Sequence, residues 1–241
     1  MRKKNFSFWL LPITLLIIAI TVFSSFKTDT SIISYTANLQ KDEVKLYWKN
    51  DQDQNFKSLL ALKNWLDIKH HKLIFAMNGG MYKSDLSPQG LYIENEKTLA
   101  PVDTANGNGN FYLKPNGVFY ITGNNKPIIC RTEALPTHTT IKYATQSGPM
   151  LVIDSKIHSA FKQDSSNLNI RNGVGILPDN TVIFAMSTKE INFYDFAMYF
   201  KNRGCKNALY LDGFVSRTYF PEKNWTQTDG NFGVIIGVTK K

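Results

Sequence analysis

The segment NALYLDGFVSRTY occupies positions 207–219. Ala208, Leu209, Tyr210 and Leu211 form an apolar run with the composition of a buried strand. The run stops at Asp212 and Gly213. A carboxylate at the end of a buried strand, followed by a glycine that frees the turn, can aim an acid into a cleft. Asp-Gly is also a plain turn signal, so the local sequence alone leaves both readings standing. Ser216, Arg217 and Thr218 follow within reach of the acid.

Immediately upstream, Phe193, Phe196, Ala197 and Phe200 recur at i, i+3, i+4 and i+7, which predicts a helix over Phe193 to Arg203. Asn192 can cap its start and Gly204 its end. Its aromatic stripe reads as core packing. A second amphipathic helix is predicted around Phe56, Leu59, Leu62 and Leu66.

Further out, other apolar runs end in glycine-punctuated polar residues. Leu73 to Met77 runs into Asn78-Gly79-Gly80, read here as a glycine-rich turn whose N–H groups could approach a ligand or form an anion-binding nest. Gln146 and Ser147 precede Gly148-Pro149 and the strand Leu151 to Ile153. No nucleophile elbow surrounds Ser147, so a ligand hydrogen bond suits it better than a Ser-His-Asp hydrolase. Arg171 precedes the small strand Val174-Gly175-Ile176, where it could clamp a phosphate or carboxylate or form a surface ion pair. Val118 to Thr122 is expected to form a hairpin with Phe111 to Leu113 across Lys114-Pro115-Asn116-Gly117. Glu94 and Glu96 are expected as exposed turn acids. These elements predict an α+β fold: a mixed, largely antiparallel twisted sheet with a few packed helices, preceded by an N-terminal hydrophobic helix.

The chain has 241 residues, enough for one domain and an N-terminal appendage. Arg2, Lys3 and Lys4 precede a stretch with no charged residue until Lys27. That pattern predicts a membrane anchor over residues 1–26, with a cleaved signal peptide as the alternative, and an exported domain over residues 27–241. The expected location is therefore the outer face of the inner membrane, towards the periplasm or the extracellular side, or secretion after cleavage. The formal net charge is +9, which suits anionic envelope polymers or phosphate-bearing substrates as well as simple solubility. No basic cluster with interleaved aromatics suggests nucleic acid. An oxidising compartment would permit a Cys130–Cys205 disulfide, which the sequence does not establish. None of the four histidines has metal-ligand spacing, so no metal and no cofactor is expected.

Taken in order, AMNGGMY, TQSGPMLV, RNGVGI and ALYLDG resemble the phosphodiester glycosidase family, and SPQGLYIE, NFYLKPNGVFY and NFYDFA resemble its bacterial envelope branch. The resemblance covers roughly Leu73 to Val238. It implies hydrolysis of a sugar-1-phosphodiester, with a phosphate-linked sugar or envelope glycan as partner. It implies Asp212, Arg171 and Asn78 as catalytic residues. Gly79, Gly80, Gln146, Ser147, Gly148, Gly213, Ser216 and Arg217 would bind substrate. The chain departs from the family at Phe214 and Val215, where many relatives have further glycines. The alternatives are a non-catalytic envelope glycan-binding module and a structural partner of an envelope synthesis complex.

Overall fold

The computed structural model describes residues 31–213 and 215–241. The expected N-terminal helix and membrane segment lie outside the described residues up to position 30, as does Phe214. Among the described residues no helix is long and apolar enough to cross a membrane.

Sixteen strands and two α-helices follow in the described residues. The early elements are β1 (Ile32–Ala37), β2 (Asp42–Tyr47), α1 (Leu59–Ile68), β3 (Leu73–Gly80), β4 (Tyr92–Glu94) and β5 (Lys97–Ala100). Then come β6 (Gly117–Thr122), β7 (Pro127–Arg131), β8 (Ile141–Ser147), β9 (Met150–Ile153) and β10 (Lys156–Ile157). The last are β11 (Asn172–Ile176), β12 (Val182–Ser187), α2 (Phe193–Asn202), β13 (Ala208–Asp212), β14 (Thr218–Phe220), β15 (Trp225–Thr226) and β16 (Val234–Lys240).

The strands form three sheets, in the orders β1-β12-β11-β13-β9-β10, β15-β14-β3-β16-β2 and β5-β4-β8-β6-β7. Every ladder among the described residues is antiparallel, which corrects the expectation of one mixed sheet. The α+β class stands. The sheets share one core. Phe75 of β3 stacks on Phe184 of β12 at 5.8 Å, and Phe119 of β6 meets the same ring edge-on at 6.0 Å. One aromatic from each sheet therefore fixes their mutual placement.

The two helices follow from their sequences. Ser58 caps α1 by accepting from the Ala61 N–H, and Leu59, Leu62 and Leu66 are buried. Asn192 caps α2 by accepting from the Asp195 N–H at 2.8 Å. Each such cap contributes about 1 kcal/mol. Phe193, Phe196, Ala197 and Phe200 are all buried, and α2 packs on β9. Burying each phenylalanine contributes roughly 1.5–3 kcal/mol. At Gly204 φ is +81°, the left-handed conformation that ends the helix at little cost. The chain then enters β13 directly.

Two local expectations are corrected, the hairpin and the exposure of Glu94, and the open question of the cysteines is answered. Asn110–Tyr112 is a 3-10 turn, so the hairpin with Val118 to Thr122 does not form; β6 pairs with β7 and β8 instead. Pro115 has no N–H to give a ladder, and the Asn116 amide donates to the Phe111 carbonyl to hold the turn. Glu94 is half-buried and accepts from the Tyr92 hydroxyl at 2.5 Å, and burial raises its pKa. Glu96 is exposed as expected. Cys130 and Cys205 are free thiols, so they form no disulfide; burial pushes their pKa values up to about 11 and about 12.

Candidate active site

The three sheets converge on the C-terminal end of β13. Two β-bulges mark this place. In the β11–β13 ladder Asn172 faces Asp212 and Gly173 faces Tyr210, which leaves Leu211 as the extra residue. In the β3–β16 ladder Val234 faces Gly80 and Ile235 faces Asn78, which leaves Gly79 extra. A bulge bends its strand and re-aims the neighbouring side chains. The Leu211 carbonyl accepts from the buried Ser147 hydroxyl at 2.8 Å, from the third sheet.

Gly79 and Gly80 are therefore strand residues, not the expected turn or nest, and neither has a left-handed φ. Their lack of a side chain serves close packing. A Cβ on Gly79 would lie 2.8 Å from the Ile236 side chain, and one on Gly80 would lie 2.5 Å from the Thr145 hydroxyl.

Asn172 joins the two bulged strands. Its Nδ2 donates to the Asn78 carbonyl at 2.8 Å and to Asn78 Oδ1 at 2.9 Å. Its Oδ1 accepts from the Asp212 N–H at 2.8 Å. Asn78 Oδ1 also accepts from the Arg217 N–H at 3.0 Å, so the Asn78–Asn172 pair holds both ends of the turn after β13. Asn78 Nδ2 is buried and makes no hydrogen bond. Reversing that amide would set its NH2 against two donors, so the bonds themselves fix its orientation.

Asp212 is half-buried, and its Oδ1 accepts from the Gly213 N–H at 2.6 Å. The Ser216 hydroxyl donates to the carbonyls of Asp212 and Gly213, at 3.1 and 3.2 Å, and closes the turn. Arg217 extends outward: its Nε donates to both Asp229 carboxylate oxygens and its Nη1 to the Ser216 carbonyl. The side chain is 37% exposed, so part of its fork meets solvent at the end of this turn. Tyr82 completes the surroundings, its phenol pKa raised first by burial and then by the Asp212 charge.

Arg171 lies beneath this turn and not at an open strand entrance. It is fully buried. Its Nε donates to the Ile191 carbonyl, its Nη2 to the Asn167 carbonyl and Oδ1, and its Nη1 to the Tyr210 hydroxyl at 3.4 Å. The guanidinium lies 3.6 Å from the centroid of Phe193. Phe193 stacks on Phe161 and Phe161 on His158, an aromatic column under the site. A fork so occupied cannot clamp a phosphate directly, which corrects the first of its two expected roles; the surface ion pair fails on the same burial. Arg171 instead sets a positive charge under Tyr210, whose hydroxyl packs so close to Gly213 that a Cβ there would lie 1.8 Å from it. Burial and the Asp212 charge raise the Tyr210 pKa, against the pull of Arg171. Tyr210 is therefore a neutral hydroxyl between the guanidinium and the turn.

Two expected ligand-binding side chains are committed elsewhere. Gln146 accepts from the Leu91 and Asp103 N–H groups, both at 2.9 Å, and donates to the Asp103 carbonyl and the Thr132 hydroxyl. It is fully buried and pins two loops. Ser147 serves the Leu211 carbonyl, and Gly148 allows close approach, since its Cβ would lie 2.6 Å from Asn116 Cβ. Neither side chain offers its hydrogen-bonding groups to the turn's open side. Among the described residues no group of three His, Cys, Asp or Glu side chains converges on a metal position.

The sequence model of the phosphodiester glycosidase family matches residues 71–239. The chain belongs to this family. All the residues of the Asn78–Asn172–Asp212 network fall inside the matched span. The chain is also 39% identical over 191 residues to the uncharacterised Escherichia coli K12 protein YigE, covering 78% of this chain and 74% of that one. Its fold is similar to the catalytic domain of zebrafish N-acetylglucosamine-1-phosphodiester alpha-N-acetylglucosaminidase, with a TM-score of 0.60, 12% identity, and 89% and 85% of the two chains covered. A hypothetical protein from Synechocystis matches with a TM-score of 0.56 and 13% identity, covering 87% of this chain and 59% of that one. Asn172, Tyr210 and Tyr82 are the site residues that sequence reasoning passed over. The signal for Asn172 was its place beside Arg171 and before Gly173, at the start of the strand that pairs with Asp212.

Proposed function

We propose that this chain hydrolyses a sugar-1-phosphodiester, releasing the sugar from its phosphate ester, with Asp212 acting at the anomeric carbon. The observation that carries the reading is the incomplete hydrogen bonding beside Asp212. Asn78 Nδ2 is a buried donor without an acceptor, within a network that otherwise fixes both ends of the Asp212 turn. An unmet buried donor costs about 1–3 kcal/mol, and a ligand oxygen would remove that cost. Membership of the phosphodiester glycosidase family supplies the reaction class.

The chemistry suits these residues. The bond to be broken joins the anomeric carbon to a phosphate oxygen. The departing phosphate ester is a stable anion, so the reaction needs little help from a general acid. It needs a negative group near the oxocarbenium-like centre and a cation near the departing phosphate. Asp212 supplies the first, as nucleophile or as base toward water. Arg217, with its fork at the surface beside the turn, supplies the second. Asn78 Nδ2 meets a sugar hydroxyl or phosphate oxygen as the Gly213–Arg217 turn adjusts. Arg171 and Tyr210 hold that turn from below.

Residues 1–26 support action outside the cytoplasmic membrane, which makes an envelope glycan the natural source of the substrate. The test incubates the full chain with a panel of sugar-1-phosphodiesters and follows free sugar and its anomeric configuration by NMR. Release of free sugar is the expected result. Retained configuration would assign Asp212 as nucleophile and inverted configuration as base. Saturable binding across the panel with no release would overturn the hydrolase in favour of a glycan-binding module.

A further inference from the structure

The start of β1 and the Asp212 turn lie at the same end of the molecule. β1 pairs with β12, β12 with β11 and β11 with β13. Their registers put Ile33 opposite Met186, Met186 opposite Asn172 and Asn172 opposite Asp212. These residues form one row across the sheet, so Ile33 and Asp212 lie roughly 14 Å apart at the usual strand spacing. Just beyond the row, the Ser187 N–H donates to the Arg171 carbonyl at 2.8 Å and the Thr188 N–H to the Ser31 carbonyl at 2.7 Å. The chain therefore enters the sheet from the rim that carries the Asp212 turn. The turn between β11 and β12, at Asp179 and Asn180, marks the opposite end.

The tether to the expected anchor is short. The apolar stretch ends at Phe26, and Lys27 to Thr30 separate it from Ser31. Even fully extended, the chain from Phe26 to Ser31 spans at most about 17 Å. Entry at the other end of β1, a strand of six residues, would set the Asp212 turn roughly 20 Å further from the tether. The rim can rest on a headgroup layer. Leu168, between the Asn167 that holds Arg171 and the Asn169 that bridges to Ile191, is 47% exposed. On the loops beside it the exposed Lys162 and Lys189 are balanced by the exposed Asp164 and Glu190. Surface charge therefore gives this end no pull towards lipid; the tether supplies the orientation.

We propose that the Asp212 site faces the bilayer and that its substrate is a lipid-linked sugar, joined at its anomeric carbon to a phosphate whose second ester is a membrane lipid. The inference rests on the sugar-phosphodiester reading of the site and on the anchor expected in residues 1–26. A lipid phosphate lies at the edge of the hydrocarbon core and cannot leave it, so only a site at the membrane-facing end of a short tether reaches the bond. In the net reaction the C1–O bond breaks and both electrons leave with the phosphate oxygen. Water gives its hydroxyl to the anomeric carbon and its other proton to solvent. The sugar departs, and the lipid monophosphate stays in the bilayer.

Two measurements on the full chain in phosphatidylcholine vesicles test this. In the first, a dye on Lys189→Cys, in a Cys130→Ser background, should transfer energy to a headgroup-labelled lipid more efficiently than a dye on Asn180→Cys. Equal transfer, or more from position 180, overturns the placement. In the second, each sugar of a panel is offered as two 1-phosphodiesters that differ only in the second ester: phytanyl, held in the vesicle, or methyl, in solution. The phytanyl diester should release sugar at least tenfold faster at equal bulk concentration, because tether and substrate share one surface. A helical spacer of about 30 residues between Thr30 and Ser31 sets the domain about 45 Å further out. It should remove most of that advantage and leave release from the methyl diester unchanged. Equal release of the two, or an advantage that the spacer leaves intact, overturns the lipid substrate. Release from the methyl diester alone overturns the lipid substrate and leaves the hydrolase standing. No release from either ester of any sugar overturns the hydrolase, and the lipid substrate with it.

Discussion

Gln146 and Asn78 are both fully buried amides that cross between separate parts of the chain, yet they end differently. Gln146 accepts two N–H groups and donates twice, so all its capacity is used. Asn78 accepts twice and leaves its NH2 with nothing. A completed amide adds rigidity, because every group it meets would otherwise be buried and unmet. An incomplete one holds geometry on one side and keeps a donor for something else on the other. The difference separates a structural crossing from a candidate site more sharply than sequence does, since both residues begin glycine-bearing segments, NGG and QSG.

The contrast can be broken by experiment. Asn78→Ala should lower turnover by about 10²–10³-fold, the scale of losing a positioned donor in an active site. Its unfolding midpoint should fall by less than that of Gln146→Ala. If Asn78→Ala keeps full turnover, the incomplete amide is only an imperfection of packing. Gln146→Ala strands the Leu91 and Asp103 N–H groups and should cost about 3 kcal/mol. For a domain of this size that is a midpoint shift on the order of 10 °C in thermal denaturation, with turnover per folded molecule near that of the parent. A catalytic collapse without the stability loss would reverse the assignment of the two amides.

Two smaller effects sharpen the picture. Arg217→Ala should reduce kcat/KM by about 10- to 100-fold, a loss of about 1.4–2.7 kcal/mol, and should flatten its salt dependence. A loss equal to that of Arg171→Ala at every salt concentration would mean that Arg217 acts only by holding the turn. His158, at the foot of the aromatic column, has its pKa lowered from 6.5 by burial. The unfolded chain therefore takes up the proton first as pH falls. Stability present above 6.5 should be lost on going down from there toward the lower folded value, by about 1 kcal/mol or less. His158→Gln should flatten that part of the midpoint–pH curve, and an unchanged curve would exclude the histidine as its source.

Much of the fold was legible because it rests on local pattern. The Phe193–Phe200 stripe gave α2, and the ALYL run gave β13 with Asp212 at its end. The failures share one cause: the deciding partner is remote in sequence. The glycines of NGG mimic a turn, but they are set by β16, more than 150 residues on. Arg171 reads as a surface fork until Ile191 and Tyr210 close around it. Asn172 carries no local signal beyond its place between Arg171 and Gly173, because its partners Asn78 and Asp212 lie 94 and 40 residues away. Bulges such as those at Gly79 and Leu211 exist only as mismatches between paired strands, so a single strand cannot announce them.

The most direct test compares free-sugar release by the parent chain and by Asp212→Asn on the same sugar-1-phosphodiester, with both unfolding midpoints measured. The account requires turnover by the parent, a loss of about 10³-fold or more in the variant, and midpoints within a few degrees of each other. Equal turnover by the two proteins would contradict it, because the carboxylate on which three sheets converge would then have no part in the chemistry.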